Sequence, residues 1–401
     1  MIRHLVKLVW NRKRANGLLI LEVFFSFLVV LAVTTTGLHL LRAAGQPLGY
    51  EWRNAWSVAV DSGQQGGGWG LEGLMETERA LLREARNLAP VVAAAAISVP
   101  PYELGTDTGP VRPRGAPVEA SVHSQVTRAT DGLLEALELE LVAGRWFEGP
   151  DSARAWEPVV IDRDLARAVF GAEDPLGRAV EGFAGETEKR VVGVLRDFRK
   201  GGELAPREPY LFRRIDADDP EALPARFLLV RVRPGTPVAF EEELVERLQA
   251  VAPELTFEVR TLAEARRTAL RLRLIPLAAG ALVAAFLLLM VALGLVGVLW
   301  QNVVQRTREL GLRRATGAAR RDVHRQISME LLLVTTLGLA LGILLAIQLP
   351  ILRLVPSLAP QTFAAGVALA AAVLYTMALA AAAYPAWLAG RVQPAEALRW
   401  E

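Results

Sequence analysis

Residues 275–300 read IPLAAGALVAAFLLLMVALGLVGVLW, an unbroken run without one charged side chain. A helix rises about 1.5 Å per residue, so this run is long enough to cross the roughly 30 Å hydrocarbon core of a bilayer. Three further runs are almost as free of charge: 18–41, which reads LLILEVFFSFLVVLAVTTTGLHLL, then 329–352 and 363–388. Together they account for a hydrophobic content of 52% in 401 residues, which is high for a water-soluble chain. The intervening stretch 42–274 has the mixed composition of a soluble domain. The pattern therefore predicts four transmembrane helices with one large domain inserted between the first and the other three.

Orientation follows from where the basic residues sit. Arg3, Lys7, Arg12, Lys13 and Arg14 precede the first span. The connection between the second and third spans carries Arg306, Arg308, Arg313, Arg314, Arg320, Arg321 and Arg325, whereas the next connection has only Arg353; Arg391 and Arg399 follow the last span. Both termini and the Arg-rich connection are expected in the cytoplasm, and 42–274 on the other side. Charge balance agrees: 42–274 holds 30 basic and 37 acidic residues, while the remainder is strongly basic. A nucleic-acid binder would carry its basic excess on the soluble domain instead. The first apolar run also exceeds the usual length of a signal-peptide core, and no A-x-A cleavage pattern follows it. In residues 1–17, Ile2, Leu5, Val6 and Val9 share one helical face with Trp10 beside them and basic residues around the rest, the pattern of an interfacial amphipathic helix.

Small residues crowd the fourth span, and Gly338 and Gly342 in the third are spaced i, i+4. Such spacing permits close helix approach, either within one bundle or across a dimer face. Glu22 is the one acid well inside a span. It reads either as a snorkelling or Arg-paired carboxylate near the cytoplasmic end, or as a proton or substrate site.

Within 42–274, a strand around Trp56, Val58 and Val60 leads through a Gly-rich turn at 66–68 to a helical pattern over 71–88 and a β-rich run over 91–99. Prolines and glycines between 100 and 113 break the chain, before a polar strand near 119–127 and a helix near 132–139. The alternation returns with a strand at 227–232, a helix at 240–251 and a strand at 256–260. These flanks predict one α+β subdomain, interrupted by a second, β-rich subdomain over 143–215 whose clearest strands are 189–194 and 209–212. Chemistry is not apparent in either. Cysteine is absent, the four histidines lie far apart, and no G-x-S-x-G or H-E-x-x-H occurs. Asp162 and Asp164 read as solvent-facing or helix-capping residues.

Two groups of motifs carry a resemblance. Arg306–Gln326, RTRELGLRRATGAARRDVHRQ, and Tyr384–Glu401, YPAWLAGRVQPAEALRWE, resemble the signature of FtsX/MacB-type ABC transporter permeases. Residues 143–180, AGRWFEGPDSARAWEPVVIDRDLARAVFGAEDPLGRAV, with VVGVLRDFR at 191–199, resemble the MacB-type periplasmic core domain. The resemblance implies a non-catalytic permease subunit in the bacterial inner membrane that dimerises with a second copy or a paralogue. It further implies a cytoplasmic ABC ATPase that carries ATP and Mg while this chain binds no cofactor, and it leaves room for a periplasmic adaptor. By the same resemblance, Arg308, Glu309, Leu310, Gly311, Arg313, Arg314, Gly317 and Arg321 form the ATPase-coupling contact. The implied role is export or efflux of a hydrophobic, peptide or lipid-linked substrate, with activation of an extracytoplasmic hydrolase as the alternative. No Gly-Lys dipeptide of a phosphate-binding loop occurs in the 401 residues, so the expected motor is a separate polypeptide. An ion-coupled transporter would instead show buried ionisable residues and broken helices at the midplane.

Overall fold

A computed structural model describes residues 13–61, 71–105, 107–183, 187–215, 225–305, 320–352 and 359–389. The chain divides into two compact units, one made of Met1–Arg42 with Arg273–Glu401 and the other of Ala43–Leu272. The expected amphipathic helix of 1–17 lies almost wholly outside the described residues.

The chain begins with helix α1 (Lys13–Ala44) and strand β1 (Ala55–Asp61), followed by α2 (Leu71–Asn87) and β2 (Val91–Ile97). Next come β3 (Asp107–Pro113), β4 (Val122–Ala129), a short α3 (Leu133–Leu137), β5 (Leu141–Gly144), β6 (Glu157–Asp162) and α4 (Arg163–Phe170). After β7 (Ala179–Glu181), β8 (Lys189–Leu195) and β9 (Tyr210–Arg214), the soluble part closes with β10 (Phe227–Val232), α5 (Phe240–Val251) and β11 (Thr256–Thr261). Helix α6 (Leu262–Gln305), α7 (Arg320–Ala346), a short α8 (Gln348–Ile351) and α9 (Pro360–Ala389) complete the described chain. Among the described residues, four helices, within α1, α6, α7 and α9, are long and apolar enough to cross a membrane.

In the helical unit, α1 is gripped by all three partners. Leu19, Val23, Phe27, Val30 and Leu31 recur along one stripe of α1 and are buried. Leu19 and Val23 pack with Val291, Leu295 and Leu299 of α6 and with Leu331 and Val334 of α7. Phe27, Val30 and Leu31 pack with Leu339 of α7 and with Ala370 and Leu374 of α9. The glycine pair of the third span faces α1: a Cβ at Gly338 would sit 2.7 Å from Val23 Cγ1, and one at Gly342 would strike the Phe27 ring. The i, i+4 spacing therefore serves packing within this chain. Pro276 lies inside α6. Lacking an N–H, it cannot donate to the carbonyl of Leu272, the residue at which the two units divide.

The soluble unit carries one eleven-stranded sheet, which opens with four antiparallel strands ordered β11-β1-β10-β2 and continues from β2 to β4. Its connections, β1-α2-β2 and β10-α5-β11, form two interleaved split β-α-β units. Alternation along the strands buries both faces. Trp56, Val58, Ala94, Ala96, Leu228 and Val230 point toward α2 and α5, where they meet Leu81, Leu82, Leu244 and Leu248. Ala93, Ala95, Ile97 and Leu229 point to the other face, against Leu133, Leu137, Trp146, Phe198 and Phe212.

Strands β4, β3, β7, β8, β6 and β9 are hydrogen-bonded in that order, and β9 returns to pair in parallel with β4, so six strands close a ring. Val111, Val159, Ile161, Val191 and Leu211 lie in its core, with Leu165 and Phe170 of α4. The inserted element is thus wider than 143–215, because the ring takes in β3 and β4. Two prolines, Pro110 and Pro113, disguise β3 as a break in the sequence. They are tolerated because most of β3 is paired on one side only: with β4 over 107–111 and with β7 only at Arg112 and Pro113.

Candidate functional site

The coupling residues Arg308, Glu309, Leu310, Gly311, Arg313, Arg314 and Gly317 lie outside the described residues. Arg321 falls in the first turn of α7. The structure does fix the helices on either side, α6 ending at Gln305 and α7 starting at Arg320, which are the second and third spans. Glu22 packs against α6: a Cβ added at Gly294 would lie 2.8 Å from its Oε2. Among the described residues no arginine pairs with it.

A second constellation emerges in the soluble unit, where the chain leaves α1 and where it enters α6. Both places are held by one loop, residues 196–207, between β8 and β9. Arg199, 3% exposed, aims its guanidinium at backbone carbonyls. It donates to Ala43 O at 2.8 Å in the last turn of α1, and to Glu203 O and Ala205 O at 2.7 Å each. Its own N–H donates to Leu48 O at 2.9 Å, and the Tyr50 hydroxyl donates to its carbonyl at 3.2 Å. A planar fork with five donors suits this task, since one side chain satisfies carbonyls from several chain segments. Gly49 makes the approach possible: its φ is +83°, and a Cβ there would run into the carbonyl of Asp197.

The same loop grips the start of α6. Glu203 pairs with Arg266, whose guanidinium also lies over the Trp52 ring at 4.6 Å from its centroid. Beneath these contacts sits an aromatic cluster, with Phe198 between Tyr50, Tyr210 and Phe212 at ring separations of 5.5, 4.9 and 4.8 Å. Burial pushes the Tyr102 hydroxyl up to about 12 and raises that of Tyr50, so both stay neutral. Lys200, also buried, donates to Gly105 O and is pulled down to about 8 by desolvation, against the carboxylates of Asp107, Glu103 and Glu208.

A second buried arginine, Arg231 of β10, ties the segment after α1 to the sheet. It donates to Ala136 O and Glu51 O, both at 2.8 Å, and pairs with Glu138. Asp162 resolves as a cap: 2% exposed, its Oδ1 accepts from Leu165 N–H at 2.8 Å at the start of α4 and from Tyr210 N–H at 3.1 Å. Burial raises its carboxyl to about 7. Asp164 pairs with Arg207 at 3.0 Å. None of these groups forms a nucleophile–base pair, and no cluster of His, Cys, Asp or Glu among the described residues could hold a metal. The constellation is suited to holding chain segments together.

Arg199 lies within the VVGVLRDFR stretch, where nothing in the sequence separates it from the many solvated arginines.

Residues 17–251 match the family described as MacB-like periplasmic core domain, and residues 281–394 match FtsX-like permease C-terminal. The chain belongs to this family of MacB/FtsX-type ABC transporter permeases. Among similar proteins, the macrolide export ATP-binding/permease protein MacB of Bordetella avium is 29% identical over 224 residues, which are 53% of this chain and 33% of that protein. A protein of Pseudomonas syringae pv. tomato described as "Probable syringafactin export ATP-binding/permease protein SyfD" is 27% identical over 244 residues, 58% of this chain and 34% of that one. The match thus spans about a third of the length of these curated relatives. Among solved structures, the periplasmic region of MacB from Actinobacillus actinomycetemcomitans aligns at a TM-score of 0.39 with 15% identity, covering 57% of this chain and 97% of that one.

Proposed function

We propose that this chain is the permease subunit of an ABC transporter that relays ATP-driven motion of a partner ATPase to an extracytoplasmic domain. Its place is the bacterial inner membrane, with both termini and the 301–328 segment in the cytoplasm and 42–274 outside. Two copies, or this chain and a paralogue, form the working assembly, and a periplasmic adaptor is a compatible further partner. The cargo class is a hydrophobic or amphipathic compound, a peptide or a lipid-linked molecule, taken from the membrane or the outer side.

The observation that carries the reading is the loop 196–207, which binds the last turn of α1 through Arg199 and the first turns of α6 through Glu203. Displacement of either helix reaches the external domain through a few short polar contacts. In the proposed cycle, nucleotide-driven closure of the ATPase pulls on Arg308, Glu309, Arg313 and their neighbours, the spans shift, and the external domains change their spacing or grip.

The test is reconstitution of the permease with its co-expressed ATPase in lipid nanodiscs. ATP hydrolysis should rise several-fold over the ATPase alone, and Glu309→Ala or Arg313→Glu should remove that rise while leaving the basal rate intact. Stimulation equal to wild type in both variants would refute the coupling role.

A further inference from the structure

Residues 260–276 read RTLAEARRTALRLRLIP, and Arg266, Arg267, Arg271 and Arg273 fall within eight residues just before the second apolar run. The outer flanks of membrane spans are ordinarily poor in basic residues. Leu262, Ala265 and Ala269 turn one face of α6 into the core of the soluble unit. Beside that face, Arg266 is engaged by Glu203 and the Trp52 ring. At 3.6 residues per turn, Arg267 and Arg271 fall on the opposite face, one turn apart. Both are exposed, and neither makes a hydrogen bond or ion pair among the described residues. Glu264, the only acid of α6, is committed to the helix start: its Oε2 accepts from Thr261 N–H at 3.2 Å, and its own N–H donates to Thr261 Oγ1 at 3.1 Å.

What covers this pair follows from where it stands on the helix. Leu272, 58% exposed, and the exposed Leu274 and Ile275 lead directly into the span. Measured along the helix, Arg271 is about 6 Å and Arg267 about 12 Å from Ile275, and the headgroup layer on each side of the hydrocarbon is about 5–8 Å deep. Arg271 therefore lies in that layer and Arg267 at its outer margin, with long flexible stems that let both heads find phosphate. Side chains four apart on a helix are about 6 Å from each other, so two guanidinium forks can converge on one phosphate. A second copy seated on the same face across a two-fold axis would instead set these arginines against their own counterparts, with no free acid on α6 to pair with them.

We propose that Arg267 and Arg271 bind the phosphate headgroups of acidic phospholipids in the outer leaflet. A zwitterionic lipid offers the same phosphate beside its own ammonium, which opposes the two cations, so lipids with net negative charge are preferred. The contact ties the start of α6 to the lipid surface, and acidic lipid content then bears on any axial movement of that helix. The inference rests on the outward placement of 42–274 proposed above.

The experiment uses the full chain, which has no native cysteine, with a fluorophore on Thr268→Cys between the two arginines, reconstituted in nanodiscs. The quencher is phosphatidylglycerol spin-labelled near the top of one acyl chain, compared at equal mole fraction with phosphatidylcholine labelled at the same carbon. Two basic side chains at the lipid surface should enrich the anionic lipid about tenfold at the site. Quenching by phosphatidylglycerol should therefore exceed that by phosphatidylcholine several-fold, and Arg267→Gln/Arg271→Gln should make the two equal. Equal quenching with both arginines present overturns the proposal, as does an excess that survives the double variant. If inorganic phosphate abolishes the excess at an ionic strength where chloride does not, the site is one for the free anion and the lipid assignment is overturned. Disulfides between the introduced cysteines of two copies, formed with no excess quenching, would make the face a self-interface and overturn it as well. Failure of the underlying topology reads out separately: unlabelled Thr268→Cys would resist an impermeant thiol reagent in intact cells although the quenching difference persisted in nanodiscs.

Discussion

Replacing Arg199 by methionine should loosen the soluble unit more than any other single change in its loops. The guanidinium donates to Ala43, Glu203 and Ala205 carbonyls at 2.7–2.8 Å from a position 3% exposed. A charged hydrogen bond contributes about 1.5–3 kcal/mol, but removing the cation also removes its own desolvation cost. Three buried carbonyls lose their donor at about 1–3 kcal/mol each, and relief of the cation's desolvation offsets part of that, so the expected net loss is about 3–5 kcal/mol. In a domain of this size each kcal/mol moves the melting midpoint by about 2–4 °C, so the drop should fall between roughly 6 and 20 °C. Melting of the full chain in nanodiscs, followed by tryptophan fluorescence, measures it through Trp52 and Trp146 nearby. Arg199→Lys keeps the charge but cannot reach carbonyls in several directions, so it should fall between wild type and Arg199→Met. A fall below about 2 °C for Arg199→Met would refute the anchoring role, and a lysine variant equal to wild type would show that charge without the fork suffices.

Gly342→Leu in α7 should prevent monodisperse assembly in size-exclusion chromatography, because its side chain meets the Phe27 ring, whereas Gly297→Leu, with open space around it, should behave as wild type. The pH dependence of stability should expose Asp162. Its carboxyl is raised to about 7 from an ordinary value near 4, so its contribution is full below about pH 4 and is lost as pH rises through 7. Asp162→Asn keeps an acceptor for Leu165 N–H and should shrink the difference between melting midpoints at pH 5 and pH 8; an unchanged difference would assign the slope to other groups. Glu78, buried in α2 and also raised to about 7 by desolvation, should add to the same slope, and Glu78→Gln should flatten it further.

The spans were legible because an apolar run of sufficient length has few other uses, and the two β-α-β halves because strand and helix periods alternate cleanly over 55–97 and 227–261. Ring closure was not legible. It depends on parallel pairing of Gln125 with Tyr210 and their neighbours, 85 residues apart, and no local pattern encodes such a partner. Strand β3 was hidden by Pro110 and Pro113, which read as a break when taken alone. At the site, the coupling residues came from resemblance to a family. Arg199 and Arg231 escaped notice because nothing in a sequence separates a buried arginine with carbonyl partners from the many solvated ones.

The first and last strands of the soluble unit are antiparallel neighbours, so Trp56, just after the chain arrives, sits opposite Thr261, just before it departs. A body of some two hundred residues therefore begins and ends on neighbouring strands, about 5 Å apart. Its interior can be enlarged, trimmed or exchanged without respacing the two strands that open and close it, which makes this domain the part of the chain most open to evolutionary replacement.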